Sequence, residues 1–244
     1  MLHKTNGIVL RSVKYGESSL ITTIFTAAAG IQTYIVQGIR SQKSRQNRAG
    51  SFQPGILLEL VVYQQPNKNM QRIREFQVAY IYKALQEDVV KNSIVLFSVE
   101  VLLRLLPENA PLPALFDFVY AYFIALDTMP VHDVANFPLF FIIHCSREFG
   151  FDLTGGYSNE TPYLNLAEGG YTAQPPATLP HVTDEDAMAL TLLLKVNAFD
   201  ELRQAPMNAD MRLRLIDWYV AYLQQHTQHM GNVRSLAVLR AVLH

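Results

Sequence analysis

Four basic side chains fall within nine consecutive positions of the sequence, and no acidic residue interrupts them. They are Arg40, Lys43, Arg45 and Arg48. The whole stretch from Ser18 to Leu58 lacks Asp and Glu. Because a merely solvated surface usually mixes both signs, this segregation indicates attraction to phosphate groups. We predict that residues 40–48 bind a polyanion; the alternative is a basic segment that serves only solubility.

The charge of the chain is divided between its first third and the remainder. Residues 1–80 contain ten Lys and Arg against three Asp and Glu, a net charge of +7, whereas the rest contains ten against eighteen, a net charge of -8. The formal total of -1 therefore hides a basic part and an acidic part. The basic part is the one that we expect to bind a polyanion.

Apolar residues alternate along five short runs in the first 80 residues, as half-buried β-strands require. The runs cover residues 8–13, 20–25, 31–36, 56–63 and 73–78. Five short strands in so few residues favour a small closed barrel, because closure removes the exposed sheet edges. The pattern predicts a five-stranded oligonucleotide-binding (OB) barrel, with the basic segment between its third and fourth strands.

The predicted strands carry further cations and aromatic residues that can contact a nucleic acid. The cations are Arg11, Lys14, Arg72 and Arg74. We expect them to follow a phosphate backbone together with the basic segment, without reading bases. Tyr15, Tyr34, Phe52 and Tyr63 are either base-stacking residues or part of the barrel core.

After residue 80 the apolar period becomes helical, which gives an α+β protein of two domains. We predict an OB domain over residues 1–80 and an all-helical domain over residues 81–244. A loop-rich insert, marked by paired glycines and prolines, is expected at about residues 151–180.

Several classes of protein are disfavoured by what the sequence lacks. It contains no phosphate-binding loop, no dinucleotide fingerprint, no HExxH motif and no GxSxG motif, so we expect no catalytic residues and no enzyme activity. It contains one cysteine, Cys145, and no set of residues with the spacing of a metal site. Neither a secretory signal nor a long apolar run is evident, which predicts a cytoplasmic protein without membrane contact.

Short motifs along the chain resemble the RecO family of bacterial recombination mediators. The N-terminal ones are Thr5-Asn6-Gly7-Ile8-Val9-Leu10-Arg11, Tyr15-Gly16-Glu17-Ser18, Gly38-Ile39-Arg40, Lys43-Ser44-Arg45 and Gln53-Pro54. Those nearer the C-terminus are Glu148-Phe149-Gly150-Phe151, Gly169-Gly170-Tyr171 and the stretch from His226 to Arg234-Ser235-Leu236.

This resemblance implies a protein that binds single- and double-stranded DNA and anneals complementary strands in DNA repair and homologous recombination. It also implies that the protein acts together with RecR, and with the C-terminal tail of single-strand-binding protein, to load RecA onto DNA. Many family members hold zinc with four cysteines in the insert. Phe151 to Pro180 contains no cysteine and no histidine, so we expect no zinc site and no cofactor.

Recognition of an acidic, apolar protein tail requires an apolar groove with a basic rim in the helical domain. The candidate rim residues are Arg203, Arg212, Arg214 and Arg234. Two alternatives stay open at this point. An OB barrel accepts RNA as well as DNA, and the acidic domain alone would suit a protein adaptor without annealing activity.

Overall fold

The computed structural model describes residues 2–39, 48–65, 68–177 and 179–243. Five strands form a closed barrel in the order β1-β2-β3-β5-β4. They are β1 (Leu2–Tyr15), β2 (Ser19–Thr26), β3 (Gly30–Val36), β4 (Leu57–Tyr63) and β5 (Met70–Val78). β3 and β5 are parallel, and the other pairs are antiparallel. The predicted OB barrel is confirmed.

Alternation along the strands places one set of side chains inside the barrel, as the period of two requires. This core consists mainly of Val9, Leu20, Ile24, Tyr34, Val36, Phe52, Leu58, Leu60 and Val62. The core approaches the backbone closely at Gly7, where an added Cβ would lie 2.6 Å from Ile24 Cγ2 and 2.8 Å from Leu60 Cδ1. A larger residue there would displace the packed side chains.

The barrel belongs to a compact unit that also contains residues 106–127. These include most of helix α2 (Pro113–Thr128), whose Phe116 ring meets Phe25 edge to face at 5.4 Å. Before the helix, Ala110 approaches the β2–β3 turn at Gly30, which has a positive φ of 67°. A Cβ at Gly30 would lie 2.0 Å from the Ala110 carbonyl oxygen, so only glycine fits.

The second compact unit consists of residues 84–105 and 128–244. Its helices are α1 (Val89–Leu105), α3 (Phe137–Arg147), α4 (Asp184–Leu193), α5 (Ala209–His226) and α6 (Ser235–Val242). Helix α3 is buried along nearly its whole length, as its continuous run of apolar residues predicts. Together the two units give the α+β class expected from the sequence.

A small sheet that the sequence pattern did not reveal lies in the insert and just after it. Strands β6 (Tyr163–Asn165), β7 (Gly170–Thr172) and β8 (Val182–Thr183) are antiparallel in the order β7-β6-β8. Runs of two or three residues are too short for a periodicity of two to be recognised. The boundaries predicted for two domains, 1–80 and 81–244, stay a prediction; the compact units instead interleave along the chain.

Candidate nucleic-acid interface

The predicted cations lie on two strands of the barrel, Arg11 and Lys14 on β1 and Arg72 and Arg74 on β5. Arg11 stands opposite Thr23, which is opposite Thr33. At the next outward-facing position of β3, Ile35 is paired with Arg72 of β5. Counted around the closed barrel through β2 and β3, three interstrand gaps separate β1 from β5, a path on the order of 14 Å along its curved surface.

The cations on this face differ in how firmly they are held. Arg72 donates from a guanidinium nitrogen to Gln37 Oε1 at 2.5 Å, and Arg74 Nε lies 3.2 Å from Glu75 Oε1. Arg11 and Lys14 are exposed, and their side chains have no ion-pair partner within the described parts of the chain. We call Arg11, Lys14, Arg72 and Arg74 together the basic face; Lys14 stands opposite the core residue Leu20 and projects from the other side of β1 than Arg11. Since exposed cations without carboxylate partners attract phosphate strongly, the basic face suits a polyanion.

A shallow groove of about 260 Å³ crosses the end of the basic face. It is lined by the end of β3, by residues 37–39 and by Arg72 and Arg74 of β5. The chain then enters residues 40–47, so Arg40, Lys43 and Arg45 lie outside the described residues. For Arg48 only the backbone is described, in a short 3-10 helix. Their proposed contacts with phosphate stay a prediction.

The four candidate stacking residues divide into two exposed and two buried. Tyr15 and Tyr63 are 53% and 41% exposed, and Tyr63 stands opposite Arg72 in the β4–β5 ladder. Tyr34 and Phe52 are only 2% and 1% exposed. Stacking on bases is therefore excluded for these two, which instead pack in the barrel core. Burial also raises the pKa of Tyr34 to about 12.

The helical unit has a groove of about 600 Å³ between α5, α6 and strand β8. Its apolar lining includes Leu215, Trp218, Val233 and Leu236. The indole of Trp218 stacks on Tyr222 with ring centroids 5.6 Å apart, and its nitrogen donates to the Pro180 carbonyl at 3.2 Å. This fixed aromatic wall offers a rigid apolar surface to a ligand. We call this cavity the tail groove.

Two arginines border the tail groove, and each is paired with a carboxylate. Arg214 forms a bidentate pair with Asp186 at 2.7 Å for both bonds, and Arg240 pairs with Asp217. A guanidinium has five N–H donors, and Arg214 uses two of them on Asp186. The remaining N–H groups can donate to an additional carboxylate.

The four predicted rim arginines occupy different environments. Arg214 borders the groove, whereas the side chains of Arg203 and Arg234 are exposed and do not line it. Arg212 is 8% exposed, so its assignment to an exposed rim is wrong. Its Nε donates to Asn136 Oδ1 at 2.8 Å, and a second nitrogen donates to the Met207 carbonyl at 3.2 Å. Arg212 thus connects α5 to the start of α3.

One wall of the tail groove is fixed by Glu100 of α1. Its carboxylate accepts hydrogen bonds from Arg234 N, Ser235 N and the Ser235 hydroxyl at 3.0, 2.8 and 2.6 Å, and from Arg104 at 2.7 Å. Burial alone would raise the pKa of Glu100. The hydrogen bonds outweigh that effect and lower the pKa to about 2. Glu100 therefore satisfies the free N–H groups where α6 begins.

Comparison with known protein families shows which family this chain belongs to. The model described as "Recombination protein O N terminal" matches residues 1–82, and the one described as "Recombination protein O C terminal" matches residues 86–236. The chain belongs to the RecO family. The resemblance noted in the sequence is confirmed, and neither description names a catalytic activity.

Full-length relatives support this membership in the RecO family. The DNA repair protein RecO of Flavobacterium psychrophilum is 27% identical over 242 residues, which cover 98% of both chains. The protein of the same name from Christiangramia forsetii is 26% identical over 242 residues, covering 99% of both, and that from Bacteroides fragilis is 28% identical over 241 residues, covering 98% of both.

The side chains and helices of the described residues bear on metals and membranes in this RecO family member. Those residues contain no group of three or more His, Cys, Asp or Glu side chains arranged to hold a metal ion. They also form no helix long and apolar enough to cross a bilayer. The expected lack of a zinc site stays a prediction.

Two residues that complete the tail groove of this RecO family member were not predicted from the sequence. Leu236 and Arg240 both line it, one helical turn apart on α6. Their i, i+4 spacing in a short amphipathic segment was the available signal. This spacing indicates a helix with one apolar side. It does not indicate helix α5, which forms the opposite wall of the tail groove.

Proposed function

We propose that this chain is a DNA-binding recombination mediator. It binds single- and double-stranded DNA, anneals complementary strands and helps to load RecA onto DNA coated by single-strand-binding protein. The observation that carries the proposal is the basic face, where Arg11 and Lys14 are exposed without ion-pair partners among the described residues. Membership in a family of DNA repair proteins supports DNA as the polyanion.

Annealing follows from contacts that are made to phosphate rather than to base edges. Cations that neutralise the backbone of one strand reduce its repulsion from a complementary strand, while the bases stay free to pair. We propose that the basic segment, residues 40–48, extends this surface. No bond is broken, so the activity needs neither catalytic residues nor a cofactor.

The tail groove is the proposed binding site for the C-terminal tail of single-strand-binding protein. Such a tail is acidic and apolar, and the groove combines apolar walls with two arginines. Apolar side chains of the tail bury against Trp218 and Leu236, while its carboxylates contact Arg214 and Arg240. This binding brings the barrel to DNA that is already coated.

Cooperation with RecR and delivery of RecA complete the proposed mediator function. Both rest on family membership and not on a particular surface of this chain. Because the substrate is DNA, we propose that the protein acts in the cytoplasm.

The test of the proposal is strand annealing on coated DNA. Complementary strands are coated with the cognate single-strand-binding protein, either intact or lacking its last few residues, and annealing is followed with and without the protein. We expect DNA coated with the intact protein to anneal faster than DNA coated with the truncated one. Equal rates on both kinds of coated DNA would refute tail recognition, and an absence of annealing throughout would refute the mediator function.

The contribution of the basic segment is tested separately by salt dependence. Each phosphate neutralised on a single strand contributes about -0.7 to the slope of log K against log salt concentration. The variant Arg40→Ala/Lys43→Ala/Arg45→Ala should flatten that slope by roughly 2. Competition between DNA and RNA of matched sequence, in the same assay, distinguishes a DNA binder from an RNA binder.

A further inference from the structure

A second groove, of about 490 Å³, opens on the barrel where strands β3 and β5 separate. The two strands are paired only from Thr33 with Met70 to Ile35 with Arg72. On the other side of the Thr33–Met70 pair, Gln32 and Asn69 line the groove, and Asn109 and Pro111 contribute to its wall. All of these residues belong to the barrel's compact unit.

The lining of this groove consists largely of carboxamide side chains, and we call it the carboxamide groove. They are Gln32, Gln64, Gln65, Asn69, Gln71 and Asn109. Lys68 is the one charged residue that lines the groove among the described residues. Each carboxamide presents a hydrogen-bond donor beside an acceptor, which is also the pattern on the edge of a nucleobase.

Internal hydrogen bonds fix some of these carboxamides and leave others available. Gln71, 6% exposed, accepts from Gln65 N at 2.9 Å and donates to the carbonyls of Gln65 and Lys68 at 2.9 and 2.7 Å. Gln32 donates to Asn109 Oδ1 at 2.6 Å. The Asn109 amide nitrogen, the Gln32 oxygen and the Asn69 side chain retain free hydrogen-bonding capacity within the described structure.

We propose that the carboxamide groove binds a nucleobase of the strand whose backbone lies on the basic face. This inference rests on the proposed DNA binding and adds base recognition to it. Asn69 directly precedes β5, the strand that contains Arg72, so the two residues are on the order of 10 Å apart at the usual rise per residue. A strand with a phosphate at Arg72 therefore reaches the groove within about three nucleotides.

Adenine is the base that this chemistry favours. Asn and Gln pair with the N6 and N7 edge of adenine through one donor and one acceptor, and Lys68 is available to an adjacent phosphate. An extended peptide also offers donors and acceptors, but Lys68 in the lining and the cations further along β5 favour a polyanion over a peptide.

The test compares oligonucleotides that differ only in a few central bases. Fluorescence anisotropy is measured on a thymine oligonucleotide of about 12 residues, a length within the range that OB folds cover. The central three positions are thymine, adenine or abasic. We expect at least about fivefold tighter binding of the adenine form, since a well-formed bidentate pair is worth that much or more.

The variant Asn69→Ala/Asn109→Ala should abolish this preference while the salt dependence of binding to the thymine form stays unchanged. Asn6→Ala, which removes an exposed carboxamide elsewhere on the barrel, is the matched control and should retain the preference. Base-independent binding by the native protein, or a preference that survives in the double variant, would overturn the inference. Loss of all salt-dependent DNA binding would instead refute the proposed function.

Discussion

The basic face of the barrel and the tail groove of the helical unit both contain arginines, but in opposite electrostatic settings. On the basic face, Arg11 and Lys14 have no carboxylate partner among the described residues. At the tail groove, Arg214 is paired with Asp186 and Arg240 with Asp217, over an apolar lining. Unpaired cations attract any polyanion, whereas paired cations beside apolar walls select a ligand that offers both carboxylates and apolar side chains.

The largest effect that this comparison predicts comes from removing the cations of the basic face. The variant Arg11→Ala/Lys14→Ala/Arg72→Ala should weaken single-stranded DNA binding by roughly 50-fold near physiological salt, because about three phosphate contacts are lost. Anisotropy titrations measure the affinity. The control variant Lys83→Ala/Lys195→Ala/Arg203→Ala removes the same charge from exposed positions elsewhere and should bind nearly normally. Equal losses in both variants would mean that net charge alone matters.

A smaller, separate effect is expected when the tail groove is made acidic. Leu236→Asp places a carboxylate in the apolar lining, where it repels an acidic tail, and should weaken binding of a tail peptide by about 20-fold. Its neighbour Ala237 is exposed and does not line the groove, so Ala237→Asp is the matched control. Calorimetry with the peptide measures both. DNA binding should not change in either variant, and a loss of DNA binding would contradict the division of roles.

Removing the charge of Glu100 should destabilise the helical unit. Glu100→Gln is expected to lower the free energy of unfolding by about 1.5 kcal/mol, a typical value for hydrogen bonds to a charged group. A lowered pKa stabilises the fold above the usual pKa, and this contribution is lost as the pH falls from about 4.5 towards 2. The variant should therefore show a weaker pH dependence of unfolding in that window.

Denaturant unfolding across this pH range measures the effect of Glu100→Gln. The exposed Glu87 provides the control, and Glu87→Gln should behave like the native protein. An unchanged pH dependence in Glu100→Gln would show that the contacts with α6 contribute little to stability.

No effect is expected from metal chelation. Phe151 to Pro180 contains neither Cys nor His, and a structural zinc site needs about four such ligands. The melting temperature should be the same with and without a chelator, and elemental analysis should find no stoichiometric zinc. A zinc ion in the purified protein would contradict this expectation and direct attention to the histidines near residue 226.

The sequence predicted the barrel well because its information is local. Alternation along β2 and β3 and turn glycines such as Gly30 determine strands and turns directly. The outward position of Arg72 follows from the same period of two, whereas that of Arg11 depends on a bulge between Val9 and Arg11 that the alternation does not reveal.

The tail groove could not be predicted in this way because it depends on contacts between distant segments. Its walls come from β8, α5 and α6, and α6 is held by Glu100, more than 130 positions earlier. Arg212 illustrates the same limit, since only the packing of α5 against Asn136 shows that it is buried. Charge type alone does not distinguish a solvated arginine from a structural one.

The most direct test of the central claim is to compare salt dependence at the two surfaces. For single-stranded DNA, the slope of log K against log salt should be flattened by about 2 in the Arg11→Ala/Lys14→Ala/Arg72→Ala variant, at about 0.7 for each lost phosphate contact. For the tail peptide, the slope should be the same in the native protein and in that variant. An unchanged DNA slope, or a peptide slope that falls with it, would contradict the assignment of DNA to the basic face.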